Sequence, residues 1–484
     1  MAPVASQSKP LSQRGQQADD RGGGTAAPRG RRSLDFRFKC RNSHMAQLSN
    51  PQARLRILVT GWEGGGNVPP FIAALRGLVA RGHDVRLIAD DSMKAEAIAA
   101  GARFQPWTRA PNRPDRSPAS CFVRDRDIAD PIAAFRQWTD RIFVGPAQDY
   151  ALDILDALAL KPADLMIGSD LLFGGMLAAE VSRVPLVLLA ANISLSPLPG
   201  HPPFGPGFQP AGNAAERARD AEVAAAGEAL WNQALPTLNA ARAHFGLAPL
   251  ARVLDQTASA GRCLLATSRS FDFPVVQMPD HVRYVGPLLE EPSWVAASGH
   301  RAIGDGTRPR ALVSFSTTHQ GQDEVLRRIV AAFGQLPVSA VVTLGKALEQ
   351  LAIEAPDNVG IFGSASHEAI LPSVQVVVTH GGHGTVLRAL RHGVPLVVMP
   401  MGRDQNDNAA RVEYHRVGIR LDPTASPSEI ARAVQDVLAD ASFAEQARRM
   451  AGLLAAEDSS VDRLLTEIEA FAAGHRAETL ERAA

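Results

Sequence analysis

A short run of glycine, histidine and threonine, residues 379–385 with the sequence THGGHGT, could bind a phosphate group. The apolar run at 374–378 predicts a strand and the pattern at 386–391 predicts a helix, so the glycines occupy the turn between them. Glycine lets a ligand come close to the backbone, and amide groups at the start of a helix attract anions. His380 can donate a hydrogen bond to phosphate, and Thr385 adds a hydroxyl group. The spacing indicates a diphosphate-binding loop, although a turn that only packs a helix on its sheet would use the same glycines.

Strands and helices alternate in both halves of the chain, which predicts an α/β fold with doubly wound, mostly parallel sheets. In the first half, a strand is followed by three glycines at 64–66 and by a helical pattern that ends at Gly82. The sequence VPLV occurs at 184–187 and again at 394–397, which favours two related domains. The predicted strands are 56–60, 84–89, 165–168 and 186–189 in the first half, and 311–315, 340–342, 374–378 and 396–398 in the second.

Composition sets the domain boundaries. Residues 1–44 hold nine lysines or arginines against three aspartates, among many small polar residues, which predicts a disordered basic tail over 1–52. The stretch 290–308 is rich in proline, glycine, serine and charge, as is typical of a linker. The chain therefore divides into a first Rossmann-like domain at 53–289, the linker, a second Rossmann-like domain at 309–472 and a short tail at 473–484.

The residues after the glycine loop extend its pattern. A Gly-Val-Pro triplet stands at 393–395 before an apolar strand, and that strand is followed by Pro400, Asp404, Gln405, Asn408 and Ala409. The whole stretch resembles the sugar-donor signature of nucleotide-sugar-dependent glycosyltransferases of the GT-B fold. It is most similar to family 1, which includes UDP-glycosyltransferases and bacterial natural-product and macrolide glycosyltransferases. The resemblance covers most of residues 55–472. It implies two Rossmann-like domains that face each other across a cleft, with the sugar donor on the second and the acceptor on the first.

The resemblance also implies which residues bind the nucleoside-diphosphate sugar. The diphosphate would be held by His380, Gly382, Gly384 and Thr385, with Ser316 and Thr317 as a second contact, the sugar hydroxyls by Asp404 and Gln405, and the nucleobase by the backbone of Ala365. From the residues alone, Asp404 fits a helix N-cap better, and Ser316 and Thr317 fit a turn equally well. The loop at 363–366 contains no tryptophan and does not distinguish UDP from dTDP.

Arg388 departs from the family pattern, which usually has a ribose-binding glutamate at this position. Contact with the ribose is therefore open, and an extra positive charge near the phosphates is the alternative. The implied reaction is an inverting transfer of a hexose. The sugar nucleotide is a co-substrate, and the resemblance implies no cofactor and no metal ion. Helix-terminal amides and His380 can stabilise the departing diphosphate instead.

The acceptor side departs further from the family pattern. Alcohol-glycosylating members of the family usually have Gly-His-Val after the first strand, whereas this chain has Asn67 in place of that histidine. An asparagine amide does not titrate and cannot be a general base. Asp170 matches the partner aspartate, and it could take the proton itself with Asn67 orienting the acceptor. Alternatively, His201 or His319 reaches the cleft, or the acceptor is acidic enough to need little base.

Two further features concern Asn67 and the acceptor pocket. Asn67 also fits the N-cap of a helix with prolines in its first turn, and we expect it to serve both purposes. A long proline-rich loop at 194–208 resembles the corresponding loop of bacterial glycosyltransferases that act on apolar natural products. The side chains that could line an apolar acceptor pocket, or belong to the core, are Phe204, Phe208, Trp138 and Phe143.

The overall composition favours small-molecule partners. Lysine plus arginine equals aspartate plus glutamate at 50 each, so no excess charge indicates nucleic acid, and no apolar run is long enough to span a membrane. Three widely spaced cysteines, Cys40, Cys121 and Cys263, are typical of free thiols in a reducing cytoplasm. Two rivals to a glycosyltransferase remain: a nucleotide-sugar epimerase of the same architecture, and a non-catalytic nucleotide-sugar-binding auxiliary protein. The sequence does not indicate an oligomeric state.

Overall fold

The computed structural model describes residues 54–483 apart from 125–126, 129, 292–294, 296–306, 316–320, 346–347, 349–350 and 458, and the side chains up to residue 477. The tail predicted at 1–52 and most of the predicted linker lie outside these residues.

A parallel sheet forms the centre of the first half. Within the described residues it has seven strands, in the order β3-β2-β1-β4-β5-β6-β7. The strands are β1 (Arg56–Thr60), β2 (Asp84–Ala89), β3 (Arg103–Pro106), β4 (Leu165–Ser169), β5 (Leu186–Ala190), β6 (Arg262–Leu265) and β7 (Val282–Tyr284). The accompanying helices are α1 (Val68–Ala80), α2 (Lys94–Ala99), α3 (Pro131–Trp138), α4 (Ala147–Leu160), α5 (Phe173–Ser182), α6 (Ala214–Asn232) and α7 (Leu235–His244).

The second half repeats this plan. Among the residues that the structure describes, six parallel strands take the order β10-β9-β8-β11-β12-β13. They are β8 (Arg310–Ser314), β9 (Ser339–Thr343), β10 (Val359–Phe362), β11 (Val376–Thr379), β12 (Leu396–Val398) and β13 (Gly418–Arg420). The helices are α8 (Asp323–Phe333), α9 (His367–Ile370), α10 (His383–Arg391), α11 (Gln405–Tyr414), α12 (Pro427–Ala439), α13 (Ala441–Ala456) and α14 (Ser460–Ala483). The predicted doubly wound α/β class is confirmed, with two Rossmann-like sheets.

The strand orders define where ligands should bind. In each sheet the order reverses beside the first strand, between β1 and β4 in one and between β8 and β11 in the other. Doubly wound proteins bind ligands outside the carboxyl ends of the strands at this switch point. The loops that follow β1 and β4 contain Asn67 and Asp170, and the loop that follows β11 contains His380. The fold therefore places the predicted residues of each domain at its own switch point.

The sequence pattern of each strand explains its burial. All five residues of β4 and of β5 are buried, as expected for central strands of a parallel sheet covered on both faces. Helix α12 begins with a capping box, in which Ser426 Oγ accepts from the amide of Glu429 and the Glu429 carboxylate accepts from the amide of Ser426.

The last helix returns to the first domain. Leu464, Leu465 and Ile468 of α14 are buried in the core that β1 and α1 share. Glu469 binds Arg81 (Nη1–Oε2 2.6 Å) and His83 (Nε2–Oε1 3.0 Å) just after α1. Helix α14 runs to Ala483, so residues 473–483 are helical where the sequence predicted a tail.

Candidate active site

One cleft, with a volume of about 490 Å³, lies between the two sheets and collects most of the predicted site residues. Those that line it are Asn67 and Asp170 from the first domain, and Ala365, His380, Gly382, Gly384, Thr385, Asp404 and Gln405 from the second. Ser316 and Thr317 lie outside the described residues. Residues separated by more than 300 positions in the sequence thus face one space, as a reaction between two bound molecules requires.

The three glycines of the loop differ in what the fold requires of them. Gly381 has a φ of +92°, and a Cβ there would lie 2.7 Å from the side chain of Val398. A Cβ on Gly382 would lie 2.6 Å from Nε2 of His380. A Cβ on Gly384, the second residue of α10, would meet nothing within 4 Å. Packing therefore explains the first two glycines, whereas the third leaves bare backbone facing the cleft, which favours a ligand-binding loop over a purely structural turn.

The histidines of this loop are neutral at physiological pH. Burial lowers the pKa of His380 to about 4, a hydrogen bond with the Ser314 backbone opposes the shift, and the charge of Arg403 adds to it. Burial also lowers the pKa of His383 to about 3, and its Nε2 lies 2.8 Å from Oγ1 of Thr267 in the first domain. A neutral imidazole can donate an N–H group to a phosphate, but it contributes no positive charge.

Asp404 and Gln405 begin helix α11 at the edge of the cleft. Asp404 occupies the N-cap position, but its side chain does not cap the helix. Burial raises the pKa of Asp404, and the hydrogen bonds that it accepts from Asn408 (Nδ2–Oδ2 2.9 Å) and from Asn192 of the first domain oppose the shift. Oε1 of Gln405 accepts from the amide of Met401 at 2.8 Å. The N-cap interpretation is thus right about the position and wrong about the side chain, which faces the cleft.

Arg388 lines the cleft but is held in an ion pair. Its Nε donates to Oε1 of Glu368 at 3.0 Å, and its Nη2 donates to the backbone oxygen of Glu290 at 3.2 Å. The other oxygen of Glu368 lies 2.9 Å from Nε2 of His392. Glu368, on helix α9, therefore neutralises most of the positive charge that the sequence suggested near the phosphates.

Asn67 does not cap helix α1 with its side chain, so that part of the prediction is wrong. Its Oδ1 accepts from the amide of Gly64 at 3.0 Å, and its Nδ2 donates to the backbone oxygen of Trp62 at 3.1 Å. A capping side chain accepts from the second or third amide of the helix, and those residues are Pro69 and Pro70, which have no N–H group. Both ends of the Asn67 side-chain amide instead hydrogen-bond to the backbone of the loop at 62–66.

Asp170 follows β4 directly and lines the cleft. Burial raises its pKa to about 7, while hydrogen bonds with its own backbone and with Ser169 act in the opposite direction. A carboxylate with such a pKa is a stronger base than an ordinary aspartate and is partly ionised at neutral pH. The structure thus gives Asp170 a property that a catalytic base needs and that Asn67 lacks.

Two acceptor-side candidates lie outside the cleft. The ring of His201 donates from Nε2 to the backbone oxygen of Phe273 at 2.9 Å, and burial lowers its pKa. The ring of Phe208 is covered by the guanidinium of Arg219 at 3.7 Å. Neither side chain lines the cleft, so the alternative in which His201 reaches it is not met, and Phe208 is not part of the acceptor pocket. His319 lies outside the described residues.

An aromatic wall forms the acceptor side of the cleft. It includes the predicted Phe204, Trp138 and Phe143, and also three residues that the sequence did not indicate, Trp62, Phe135 and Trp231. Trp62 meets the rings of Trp138 and Phe143 edge-on at centroid distances of 5.6 Å each, and Trp138 and Phe143 stack at 5.9 Å. Of the three missed residues, Trp62 is the one that its position in the sequence could have indicated, because it lies beside the glycines at 64–66. Phe135 and Trp231 come from segments that meet the cleft only after folding.

The proline-rich loop contacts the second domain. The amides of Gly205 and Gly207 donate to the Asp407 carboxylate of helix α11 at 2.8 and 3.3 Å. Nη1 of Arg420 donates to the Gly207 backbone oxygen at 3.0 Å, and a Cβ at Gly207 would lie 2.4 Å from the backbone oxygen of Asn406. This loop therefore ties the acceptor domain to the helix that begins with Asp404 and Gln405.

These features define a class of protein: two doubly wound domains with loops from both switch points facing one cleft, a glycine turn with bare backbone on one side and an aromatic pocket on the other. None of the helices in the described part of the chain combines the length and apolarity needed to cross a membrane.

Known proteins with these features are glycosyltransferases. Residues 327–467 match the family model described as Erythromycin biosynthesis protein CIII-like, C-terminal domain. The 4'-demethylrebeccamycin synthase of Lentzea aerocolonigenes is 29% identical over 84% of this chain and 97% of its own, and the demethyllactenocin mycarosyltransferase of Streptomyces fradiae is 26% identical over 89% and 86%. The glycosyltransferase of kitacinnamycin has a similar crystal structure, with a TM-score of 0.67 at 22% identity, covering 86% of this chain and 99% of that one. These similarities support a family 1 glycosyltransferase, and the two parallel sheets match GT-B glycosyltransferase structures.

The protein is therefore an enzyme that uses a nucleotide sugar, and its relatives act in antibiotic biosynthesis. These comparisons do not favour the epimerase or the auxiliary protein that the sequence left open.

Proposed function

We propose that this enzyme transfers a hexose from a UDP- or dTDP-linked donor to a hydrophobic small molecule, with inversion at the anomeric carbon and without a metal ion. The observation that carries the proposal is the pairing, within one cleft, of the bare backbone at Gly384 with the weakly acidic Asp170. The first can accept a diphosphate, and the second can accept the proton of an attacking hydroxyl group.

On the donor side, the amides at the start of α10 face the diphosphate, and the neutral His380 donates a hydrogen bond to it. Thr385 adds a hydroxyl contact, with Ser316 and Thr317 as expected partners in a segment outside the described residues. The backbone at Ala365, which lines the same cleft, is the expected contact for the nucleobase. Asp404 and Gln405 bind the sugar hydroxyls, since both line the cleft just beyond the phosphate loop.

On the acceptor side, Asp170 takes the proton of the nucleophile as the new bond forms. The acceptor oxygen attacks the anomeric carbon from the face opposite the departing diphosphate, which gives inversion. The amides at the start of α10 and the other hydrogen-bond donors of the phosphate loop stabilise the charge that develops on the leaving oxygen. Asn67 orients the acceptor indirectly, by holding the backbone of the glycine loop and of Trp62.

The aromatic wall supports an apolar acceptor, and the named relatives support a natural product. A solved relative, a spinosyn rhamnosyltransferase with 20% sequence identity and a TM-score of 0.58, was crystallised with thymidine diphosphate, which makes dTDP-sugars the first donors to test beside UDP-sugars. Cys121 and Cys263 are free thiols, in keeping with work in the reducing cytoplasm.

A screen of donors and acceptors tests the proposal. The purified enzyme is incubated with UDP- and dTDP-hexoses and a panel of phenols and alcohols, with and without a chelator, and the products are identified by mass spectrometry. We expect one hexose added to an apolar acceptor, free nucleoside diphosphate, an inverted anomeric centre by NMR, and no effect of the chelator. Donor binding without turnover on any acceptor would favour an auxiliary protein, and an epimerised sugar without acceptor would favour an epimerase.

A further inference from the structure

We infer that Arg403 is a catalytic residue of the donor half, whose guanidinium binds the nucleoside diphosphate as it leaves the sugar. This inference rests on the proposed donor site, and it concerns a residue that the family signature leaves unspecified, since Arg403 lies between Pro400 and Asp404.

The backbone at this turn is unusual. Arg403 has a φ of +57° and follows Gly402, whose φ is +143°. A non-glycine residue in the left-handed region is disfavoured by about 1–2 kcal/mol, so glycine would serve the turn better if only its shape mattered. Arg183 and Arg416 share this conformation elsewhere in the molecule, so the conformation alone does not indicate a role. The location of Arg403 distinguishes it from them, because Arg403 lines the cleft and they do not.

The Arg403 side chain lies between the two halves of the site. Its guanidinium carbon is 5.2 Å from the ring centroid of Trp138, a residue of the aromatic wall. It is also close enough to the phosphate loop for its charge to contribute to the lowered pKa of His380. The next residue, Asp404, faces the expected sugar. A cation in this place is adjacent to the bond that breaks, which joins the anomeric carbon to a β-phosphate oxygen.

The charges of the donor side make this position important. Among the described residues that the second domain contributes to the cleft, the arginines are Arg388 and Arg403, and there is no lysine. Arg388 is held by Glu368, and both loop histidines are neutral. A departing diphosphate gains negative charge, and helix amides supply only partial positive charge. Arg403 supplies a full charge and a planar fork that suits phosphate oxygens.

The step balances without any other reagent. The acceptor oxygen forms a bond to the anomeric carbon, and its proton passes to Asp170. The bond from the anomeric carbon to the β-phosphate oxygen breaks, and its electron pair stays on that oxygen. Arg403 donates hydrogen bonds to the diphosphate throughout the step.

Calorimetric titration of four ligands, UDP, UMP, dTDP and dTMP, tests the inference with the full-length chain. Arg403→Gln removes the charge and keeps most of the length, and Arg403→Lys keeps the charge without the fork. Arg183→Gln is the matched control, because Arg183 is exposed, has a φ of +58° and lies outside the cleft. We expect Arg403→Gln to weaken diphosphate binding by roughly tenfold or more, with monophosphate binding within about twofold of wild type. Arg403→Lys should lie between Arg403→Gln and wild type, and Arg183→Gln should match wild type.

Unchanged diphosphate affinity in Arg403→Gln, or an equal loss for monophosphate and diphosphate, would overturn the inference. Failure of the wild-type enzyme to bind any of the four ligands would instead refute the proposed donor site. Circular dichroism shows whether Arg403→Gln folds. If it does not, Arg403→Lys is tested in its place. Wild-type affinity and turnover in Arg403→Lys would contradict a directional contact between the guanidinium and the phosphates.

Discussion

The two halves of the cleft are built in different ways. On the donor side, His380, Gly384 and Thr385 lie within six residues, on the turn between β11 and α10. On the acceptor side, Asn67, Asp170 and the aromatic wall come from separate segments that only the fold brings together. The donor half is therefore formed largely by one local turn, whereas the acceptor half depends on the tertiary structure of the first domain. A change in one acceptor residue can alter specificity without disturbing the binding of the nucleotide.

Electrostatics separate the halves as well. Burial keeps the donor-side histidines neutral by lowering the pKa of His380 to about 4 and of His383 to about 3. On the acceptor side, burial raises the pKa of Asp170 to about 7. The same physical cause thus removes a charge from the phosphate loop and makes a carboxylate basic where a proton must be accepted. We expect substitutions in the two halves to affect binding and turnover separately.

The largest expected effect is on turnover in Asp170→Asn. With aliphatic alcohol acceptors, whose protons are weakly acidic, kcat should fall by roughly 100-fold or more, because the amide cannot accept the proton. With phenols the loss should be smaller. Steady-state kinetics with both acceptor types checks this expectation, and equal activity of variant and wild type on alcohols would exclude Asp170 as the base.

The Asp170→Asn variant has a built-in control for folding. A carboxyl group whose pKa is raised on folding binds its proton more tightly in the folded state, so its contribution to stability falls as the pH rises from about 4 to about 7. The neutral amide avoids this loss. The melting temperature of Asp170→Asn at pH 8 should therefore be no lower than that of the wild type, and its affinity for UDP or dTDP should be unchanged.

The next effect is on donor binding in His380→Ala. Loss of a hydrogen bond to a charged phosphate should weaken the binding of the nucleoside diphosphate by roughly tenfold. Calorimetry measures the dissociation constant directly. An unaltered dissociation constant would contradict its role in the loop.

Two glycine substitutions compare ligand binding with folding inside one loop. In Gly384→Ala the new methyl group meets no protein atom within 4 Å, so stability should be kept while the affinity for nucleoside diphosphate falls several-fold. In Gly381→Ala the methyl group would approach Val398 and the backbone would be strained, so stability should fall by at least about 1 kcal/mol. Thermal melts and calorimetry on both variants distinguish the two. Wild-type affinity in a folded Gly384→Ala protein would indicate a structural turn after all.

The smallest effect on donor binding is expected for Asn67→His. Asn67 contacts only Trp62 and Gly64 in its own domain, so the affinity for nucleoside diphosphate should stay within about twofold of wild type. KM for the acceptor should rise, because the loop at 62–66 loses both of its hydrogen bonds to the Asn67 side chain. A large loss of nucleotide affinity would show that the halves are not independent.

The sequence predicted the donor half well because its signals are local. Strand β12 has the predicted bounds, and the glycine loop lies where the periodicity changes from strand to helix. The capping box at Ser426 likewise involves only residues three positions apart. Such features depend on neighbours in the chain, so a sequence can indicate them without knowledge of the fold.

The acceptor half was harder to predict because its contacts are not local. The N-cap rule failed at Asn67, although the two prolines that leave it nothing to cap were visible in the sequence. His201 donates to the backbone oxygen of Phe273, which is 72 positions away in the chain. Trp62 and Trp231 meet in one pocket from positions far apart in the chain. No periodicity or spacing indicates such pairs.

The central claim is that Asp170 replaces the missing histidine as the base, and the pH dependence of kcat with an aliphatic alcohol tests it most directly. A base must be ionised to act, so kcat should rise with pH and level off above an apparent pKa of about 7. In Asp170→Asn this rise should disappear along with most of the rate. A wild-type profile that is flat from pH 5 to 9, or one that keeps its rise in Asp170→Asn, would contradict the account.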